Sequence, residues 1–294
     1  MKVDLLNKAT NITTGDAILT YLLHDFPKCL LAEFNTHRLL SRNWESSRAR
    51  PVGSVIQQVM TNPYIPSFTG KAKGMQGIVV SEEIADRAIY RWLNARDNAV
   101  LHAQGLISIG IHKQDANRLL EPWMLVSGIV TATEWDNFFK LRNHPDAQPA
   151  FQEFAAEMEK LDRATTAQPI KLGEWYKPWP DAGIAANVCK AASISYANHA
   201  KDRNEEDYDR IHDDLINASP LHASPLEHCA MAVVPGEYIG KHRRVFDPTD
   251  MAMTIEMICD QIGSRKGDYI STANFSGFLQ YRKLVEAGIT GKQP

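Results

Sequence analysis

Between Glu33 and Pro51 the chain reads EFNTHRLLSRNWESSRARP, which holds one His, four Arg, two Asn, four Ser or Thr and two Glu. Arginine forks donate paired hydrogen bonds to phosphate, serine hydroxyls add neutral donors, and an asparagine amide can read an amide-like edge of a base. The mixture suits a phosphate-bearing ligand, although a solvated helix end followed by a basic turn has the same composition. A second dense group, His222-Ala-Ser-Pro-Leu-Glu-His228, lies far downstream. Two His and a Glu are metal-ligand types, but Pro225 interrupts any helical face and the order is neither H-E-x-x-H nor H-x-x-E-H. A Ser–His nucleophile pair is a second alternative, without the G-x-S-x-G elbow that would carry it. The third is a polar turn before a buried strand, its hydroxyl and imidazole lining a cofactor pocket. No glycine-rich Rossmann or P-loop fingerprint occurs, so a nucleotide cofactor would be held by less generic means.

The elements that must position these residues follow from periodicity. A short strand is expected at Val3–Leu6, a turn at Asn11–Gly15, and a helix opening at Pro27. Leu30, Leu31, Phe34, Leu39 and Leu40 continue that helix, which puts His37 and Arg38 on its last turn and leaves Ser41–Ser47 as a loop. Helix C-terminal carbonyls repel anions, so a phosphate is expected against Ser46–Arg48. Residues 61–80 read as a long loop. A helix starts at Ser81 and runs to about Gln104, and a short one ends near Leu120. A long helix from about Met124 to Leu141 would bring Asn137 and Arg142 beside Trp135, Phe138 and Phe139, either a wet helix edge or a place for a flat ring. Residues 150–163 form an amphipathic helix. Residues 164–183 form an ordered connector, because Trp175, Tyr176 and Trp179 would not all be left in water. Beyond it come an Ala-rich helix over 184–196 turning strand-like at Ile194–Tyr196, an acidic helix over 204–217, and the His222 turn and its strand. An irregular basic piece over 237–249, a helix over 250–262 and a final helix over 274–288 complete the chain.

Composition bounds the function. Of 294 residues 44% are hydrophobic and 23% charged, enough for a sizeable core. A net charge of −3 gives no general attraction to nucleic acid or anionic lipid, so a local basic patch is expected to serve a small anion. No apolar run approaches the ~20 residues that span a bilayer, and the first residues are too polar for a secretory signal. Cys29, Cys189, Cys229 and Cys259 are scattered without a C-x-x-C pair and read as free thiols of a reducing cytoplasm.

Three groups of residues together resemble flavin-dependent thymidylate synthases. Thr36-His37-Arg38, seven residues and Ser46 resemble that family's R-H-R-x7-S signature, within the frame His37-Arg38-x-x-Ser41-x-Asn43-x-x-Ser46-x-Arg48. His222–His228 resembles its H-x-[ST]-x-x-E-H element. Gly110-Ile111 through Ala116-x-Arg118-x-x-x-Pro122, then Asn137 and Leu141-Arg142, resembles the segment leading to its substrate arginine. The resemblance spans about 30–230. In the typical order the H-x-S-x-x-E-H strand precedes the signature, whereas here it follows. Residues 184–235, with Ala192-Ser193-Ile194-Ser195-Tyr196, resemble the family's N-terminal portion, so the chain looks circularly permuted. Thr36 stands where the signature has its first Arg, Glu33 where Gln is usual, and Trp44 where a polar residue is common; Arg42 or Arg50 is expected to compensate.

The resemblance implies an α+β fold: a single large domain with a central, mostly antiparallel sheet flanked by long helices. Residues 1–163 would form the signature-bearing half, 164–183 the connector, and 184–294 a co-folded second half. It implies reductive C5 methylation of dUMP to dTMP, with methylenetetrahydrofolate as carbon donor, FAD as hydride carrier and NADPH as reductant. Ser46, Ser47, Arg48 and Arg142 would hold the nucleotide phosphate, with Glu33 near the base and Arg118 polarising it. His37, Arg38, Asn43, Asn137, Ser195, Ser224 and Glu227 would bind FAD, and His222 would flank the face where folate or nicotinamide stacks. The family forms homotetramers in which these residues converge between subunits; no metal, nucleic acid or membrane is implied. A relative acting on another pyrimidine deoxynucleotide such as dCMP, or leaving a hydroxymethyl group, is an alternative, as is a non-catalytic nucleotide or flavin binder.

Overall fold

The computed structural model describes residues 2–73, 77–196, 203–233 and 273–286. The basic piece expected over 237–249, the helix over 250–262 and Cys259 lie outside these residues.

Alternation of apolar residues builds the first hairpin. β1 (Lys2–Asn11) pairs antiparallel with β2 (Ala17–Pro27), and Gly15 takes the positive φ of 80° that the connecting turn requires. The pairing runs much further than the expected Val3–Leu6. Pro27 ends β2 opposite Leu125 instead of opening a long helix; only a 3-10 turn, Lys28–Leu30, and the four-residue α1 (Leu31–Phe34) follow. β2 is buried on both faces. Leu19, Tyr21 and Leu23 enter the main core with Phe26, Phe34 and Phe154, while Ile18 and Leu22 pack on the opposite side.

β3 (Ser41–Trp44), β6 (Leu125–Ala132) and β7 (Gln168–Ile170) complete a five-stranded sheet in the order β3-β6-β2-β1-β7. All its pairings are antiparallel except β1 with β7. Two sequence expectations change here. Ser41–Trp44 is a strand, not a loop. The long helix expected from Met124 to Leu141 is β6 followed by α5 (Asp136–Arg142). Val126, Ile129, Val130 and Thr131 are β-branched, Gly128 disfavours helix, and a strand covered on both faces reads as a continuous apolar run. Gly128 has a second role: a Cβ there would lie 2.0 Å from Trp44 Cε3, so the indole sits directly on the β6 backbone.

Helices cover the sheet. On the main-core side lie α2 (Val52–Thr61), α3 (Glu82–Ser108), α4 (Lys113–Arg118), α5 and α6 (Pro149–Ala164). The small pair β4 (Thr69–Gly70) and β5 (Ile78–Val79) interrupts the expected 61–80 loop. On the other face Ala191 and Ile194 of α7 (Ile184–Ile194) pack against Leu22 and Ile129. The helix runs through Ile194, so the expected strand-like ending is absent. α8 (Glu205–Ile216) is the acidic helix; Asn204 caps it by accepting from the Asp207 N–H at 2.8 Å, and its first-turn acids suit the helix N-terminus. A second sheet, β10-β9-β8, joins β8 (Trp175–Tyr176), β9 (Ala230–Ala232) and β10 (Phe278–Gln280). The final helix expected over 274–288 is instead a turn, β10 and the short α9 (Tyr281–Glu286). Buried Asn11 binds this sheet to the first hairpin by donating to the carbonyls of Val233 at 3.0 Å and Gly277 at 2.9 Å. The fold is thus a mixture of sheets and helices. Among the described residues no helix is long and apolar enough to cross a membrane.

Candidate functional site

The signature residues form a turn between α1 and β3, where a helix end was expected. Its carbonyls are collected by Arg42, whose guanidinium donates to Asn35 Oδ1 at 2.6 Å and to the carbonyls of Leu40 at 2.7 Å, His37 at 3.1 Å and Asn35 at 3.2 Å. Arg42 is therefore committed to the backbone and cannot replace the missing first arginine of the signature. Arg50 is committed as well: it pairs at 2.6 Å with the buried carboxylate of Glu45, whose other oxygen accepts from the Ser127 N–H. Thr36 turns its hydroxyl back to the Glu33 carbonyl at 2.7 Å, while Glu33 itself is exposed.

Three groups of candidate residues result. In the first, His37 and Arg142 meet. Arg142 Nε donates to His37 Nε2 at 2.8 Å, and its guanidinium stacks 4.7 Å from the Phe151 ring centroid. His37 packs edge-on against Phe138. Burial, then the charges of Arg142 and Arg42, pull His37 down to about 4, so it is a neutral acceptor near pH 7. Exposed Asn137 lies on the same short helix as Phe138 and Arg142.

The second group surrounds Ser46–Arg48. Ser47 is buried and donates to Glu121 Oε1 at 2.6 Å, and its carbonyl accepts from Asn117 Nδ2 at 2.6 Å. Arg48 and Arg118 are exposed. Both repel the ammonium of Lys28, which burial already pulls below the usual lysine range while Glu121 and Glu45 oppose the shift. This is a cationic rim over a fixed turn. Among the described residues Arg142 makes no hydrogen bond with this group and lies with His37 instead.

The third group joins distant parts of the chain. Asn43 Nδ2 donates to the Ala191 carbonyl at 2.6 Å, and its Oδ1 accepts from both Ser195 Oγ and Ser224 Oγ at 3.1 Å. The Ser46 N–H donates to the Ser195 carbonyl at 3.0 Å. Beside this junction a cavity of about 350 Å³ is lined by Arg38, Leu40, Arg42, Ser224, Glu227 and Asn274. Arg38 makes no hydrogen bond among the described residues, so its guanidinium is uncommitted. Glu227 is neutralised by Arg282, which donates to it at 2.5 Å. The free guanidinium of Arg38 is a donor that fits a phosphate-bearing group, while the Ser224 proton is already given to Asn43 Oδ1. His222 is exposed and its ring has no partner among the described residues.

His228 is buried, with Nδ1 2.9 Å from Thr131 Oγ1. Burial pushes it down to about 3, which makes it a core histidine and not a base in a cleft. Cys189 and Cys229 are buried with thiols pushed up to about 12, and neither suits a nucleophile. No three His, Cys, Asp or Glu side chains among the described residues are grouped as a metal site requires.

Sequence reading missed Lys28, Asn117, Glu121, Asn274, Gln280 and Arg282. Asn117 had a local signal, lying next to Arg118 on a short helix. The last three sit in a segment whose apolar spacing concealed a strand.

The chain matches the family model described as thymidylate synthase complementing protein over residues 14–165, just over half its length, and it belongs to that family. The family is one of methyltransferase-type enzymes acting on nucleotides. Among solved structures it is similar to the UMP/dUMP methylase PolB from Streptomyces cacaoi bound with 5-Br UMP, at 19% identity and a TM-score of 0.46 over 55% of this chain and 89% of that one. The complex of PolB with 5-Br dUMP gives 16% identity and a TM-score of 0.45 over 55% and 90%. Comparison with curated protein sequences gives no match.

Proposed function

We propose that this protein carries out reductive C5 methylation of dUMP, with methylenetetrahydrofolate, FAD and NADPH as co-reactants. The observation that carries the reading is the Asn43 junction. It gathers Ser195 and Ser224, both expected at a flavin site, beside the uncommitted guanidinium of Arg38. FAD, when bound, supplies hydride that completes the transferred carbon as a methyl group. The chain's own residues bind and polarise. Arg38 holds a phosphate of the cofactor, with Ser224, Asn43, Ser195, Glu227, His37 and Asn137 shaping its site. Ser46 and Arg48 hold the nucleotide phosphate together with Arg142 from another subunit of the homotetramer, and Ser47 anchors their turn through Glu121. Arg118 faces the base, where a guanidinium stabilises negative charge developing on the ring. His222 flanks the stacking face. Residues 1–163 and 184–294 act as one co-folded unit joined by 164–183, in circularly permuted order, and assemble as a cytoplasmic homotetramer without nucleic acid or membrane.

A second reading, methylation or hydroxymethylation of another pyrimidine deoxynucleotide such as dCMP, is favoured by the exposed Glu33 carboxylate. An ionised carboxylate accepts hydrogen bonds and suits an exocyclic amine better than a carbonyl. The test is release of tritium from C5 of dUMP and of dCMP in the presence of reduced flavin and folate. Release from dUMP alone supports the first reading and from dCMP alone the second. Release from neither, in a protein that is yellow with bound flavin, leaves a non-catalytic binder.

A further inference from the structure

The pocket beside Arg38 is lined in part by Asn274, which lies beyond the residues that the family match covers. Gln280, at the end of β10, is 1% exposed, and its Nε2 donates to Ser41 Oγ at 2.8 Å and to Asn274 Oδ1 at 2.7 Å. Ser41 Oγ donates to Asn274 Oδ1 at 3.3 Å. Asn274 Nδ2 donates to Ser41 Oγ at 3.2 Å and to the Leu39 carbonyl at 2.7 Å. The amide and hydroxyl protons of these three side chains are all placed, and one of them leaves the triad for the signature turn.

That exit point matters. Arg42 holds the carbonyls of His37 and Leu40 from one side, and Asn274 holds the intervening Leu39 carbonyl from the other. Leu39 has its side chain 50% exposed, so packing does little to fix the turn there. The backbone direction at Arg38, and with it the path of the guanidinium into the cavity, depends on hydrogen bonds to neighbouring carbonyls. Arg42 leaves the Leu39 carbonyl itself unheld, and the Leu40 N–H of the same peptide makes only a long 3.3 Å bond to the His37 carbonyl, so the peptide keeps some freedom to rotate. Asn274 removes that freedom, and Gln280 with Ser41 orients the Asn274 amide by presenting a donor to its oxygen and an acceptor to its nitrogen.

We propose that Asn274, oriented by Gln280, is a positioning residue that fixes the signature turn and presents Arg38 to the phosphate of the bound cofactor. This rests on the flavin reading of the Arg38 pocket. The test has two arms. In the first, amide hydrogen exchange is followed at His37 and Leu40, whose N–H groups bond within the turn, in the ligand-free full chain. Asn274→Ala should speed exchange there about five- to tenfold while β2 and β6 are unchanged. Asn274→Asp, which keeps size and acceptor but cannot donate to Leu39, should do the same and serves if the alanine variant fails to fold. In the second, FAD affinity is measured by fluorescence titration for Asn274→Leu, which adds no charge to the pocket, Arg38→Ala and the double variant. Each single change should weaken FAD, and Asn274→Leu should add nothing once Arg38 is gone. Unchanged exchange at the turn overturns the proposal whatever the flavin does, as do fully additive losses of affinity. Failure of the unaltered protein to bind FAD overturns the flavin reading, and the exchange arm then still decides the positioning role.

Discussion

Gly128→Ala should be among the most damaging single-atom additions to this protein. The new Cβ would lie 2.0, 2.4 and 2.5 Å from Cε3, Cζ3 and Cδ2 of Trp44, against the ~3.5–4.0 Å that carbon atoms prefer. Neither partner can retreat. Gly128 is paired on both sides of β6, with Leu23 and with Trp44, and the indole is held by Phe26 and Phe34 at centroid distances of 5.0 and 5.1 Å. Overpacking costs about 1–3 kcal/mol in ordinary cores and occasionally more, and a rigid ring against a ladder backbone belongs at or above about 3 kcal/mol. Urea unfolding of the parent, Gly128→Ala, Trp44→Leu and the double variant measures this. Trp44→Leu alone should cost roughly 2 kcal/mol for the lost aromatic packing. It should also make room for the methyl group, so the double variant should be more stable than the sum of the two by about 2 kcal/mol. Additive losses, or a Gly128→Ala variant as stable as the parent, would refute the claim that indole and backbone are in direct apposition.

Arg142→Ala should weaken nucleotide binding by roughly 2–5 kcal/mol if its phosphate contact is desolvated; calorimetric titration with dUMP checks it, and unchanged affinity removes the assignment. The same variant should raise the pKa of His37 from about 4, because one repelling charge is gone, but only in part, since burial is the larger cause; ring proton shifts followed by NMR report it. His228 is held near 3 against an unfolded value near 6.5, so the unfolded chain takes up its proton first. Stability should be complete above about pH 6.5 and decline as pH falls toward 3, by up to about 4–5 kcal/mol from this group. Replacing it with Gln should remove one proton from the acid slope of unfolding free energy, and an unchanged slope would show the ring is not buried neutral. Asn43→Ala should cost about 2–3 kcal/mol in urea unfolding by stranding the Ala191 carbonyl and two hydroxyls.

Short-range chemistry was legible in the sequence, and long-range partnership was not. The Ser81 start of α3 and the amphipathic α6 carry their own local signals, and the acidic α8 carries its period and its Asn204 cap. The turn before β9 was likewise visible from Pro225 and the apolar run after it. β6 was hidden because its apolar residues also fall at three- and four-residue spacings, and only its β-branched content argued for a strand. The helix expected through Arg38 fails because Arg42 offers the backbone carbonyls a better partner, an outcome set by a polar side chain that apolar periodicity does not read. Motif spacing brought Asn43, Ser195 and Ser224 to attention, but not their direct bonding. Asn274 and Gln280 carry no pattern at all, since their role exists only once β9 and β10 are paired.

The Asn43 junction also has a temporal consequence. Its partners lie at Ala191, Ser195 and Ser224, and the signature turn is completed from Asn274. On a ribosome adding about 5–20 residues per second, roughly 10–50 s separate synthesis of the turn from synthesis of the residues that fix it. During that interval β3 and its polar groups await these partners, and among the described residues its ladder is with β6, which is made before them. Nucleation is therefore expected among β1, β2 and β6, with the ligand-binding turn maturing last. A core closed by the β2–β6 pairing thus precedes a site whose partners lie further along the chain, and nascent chains stalled before Ser224 should be compact yet unable to bind flavin.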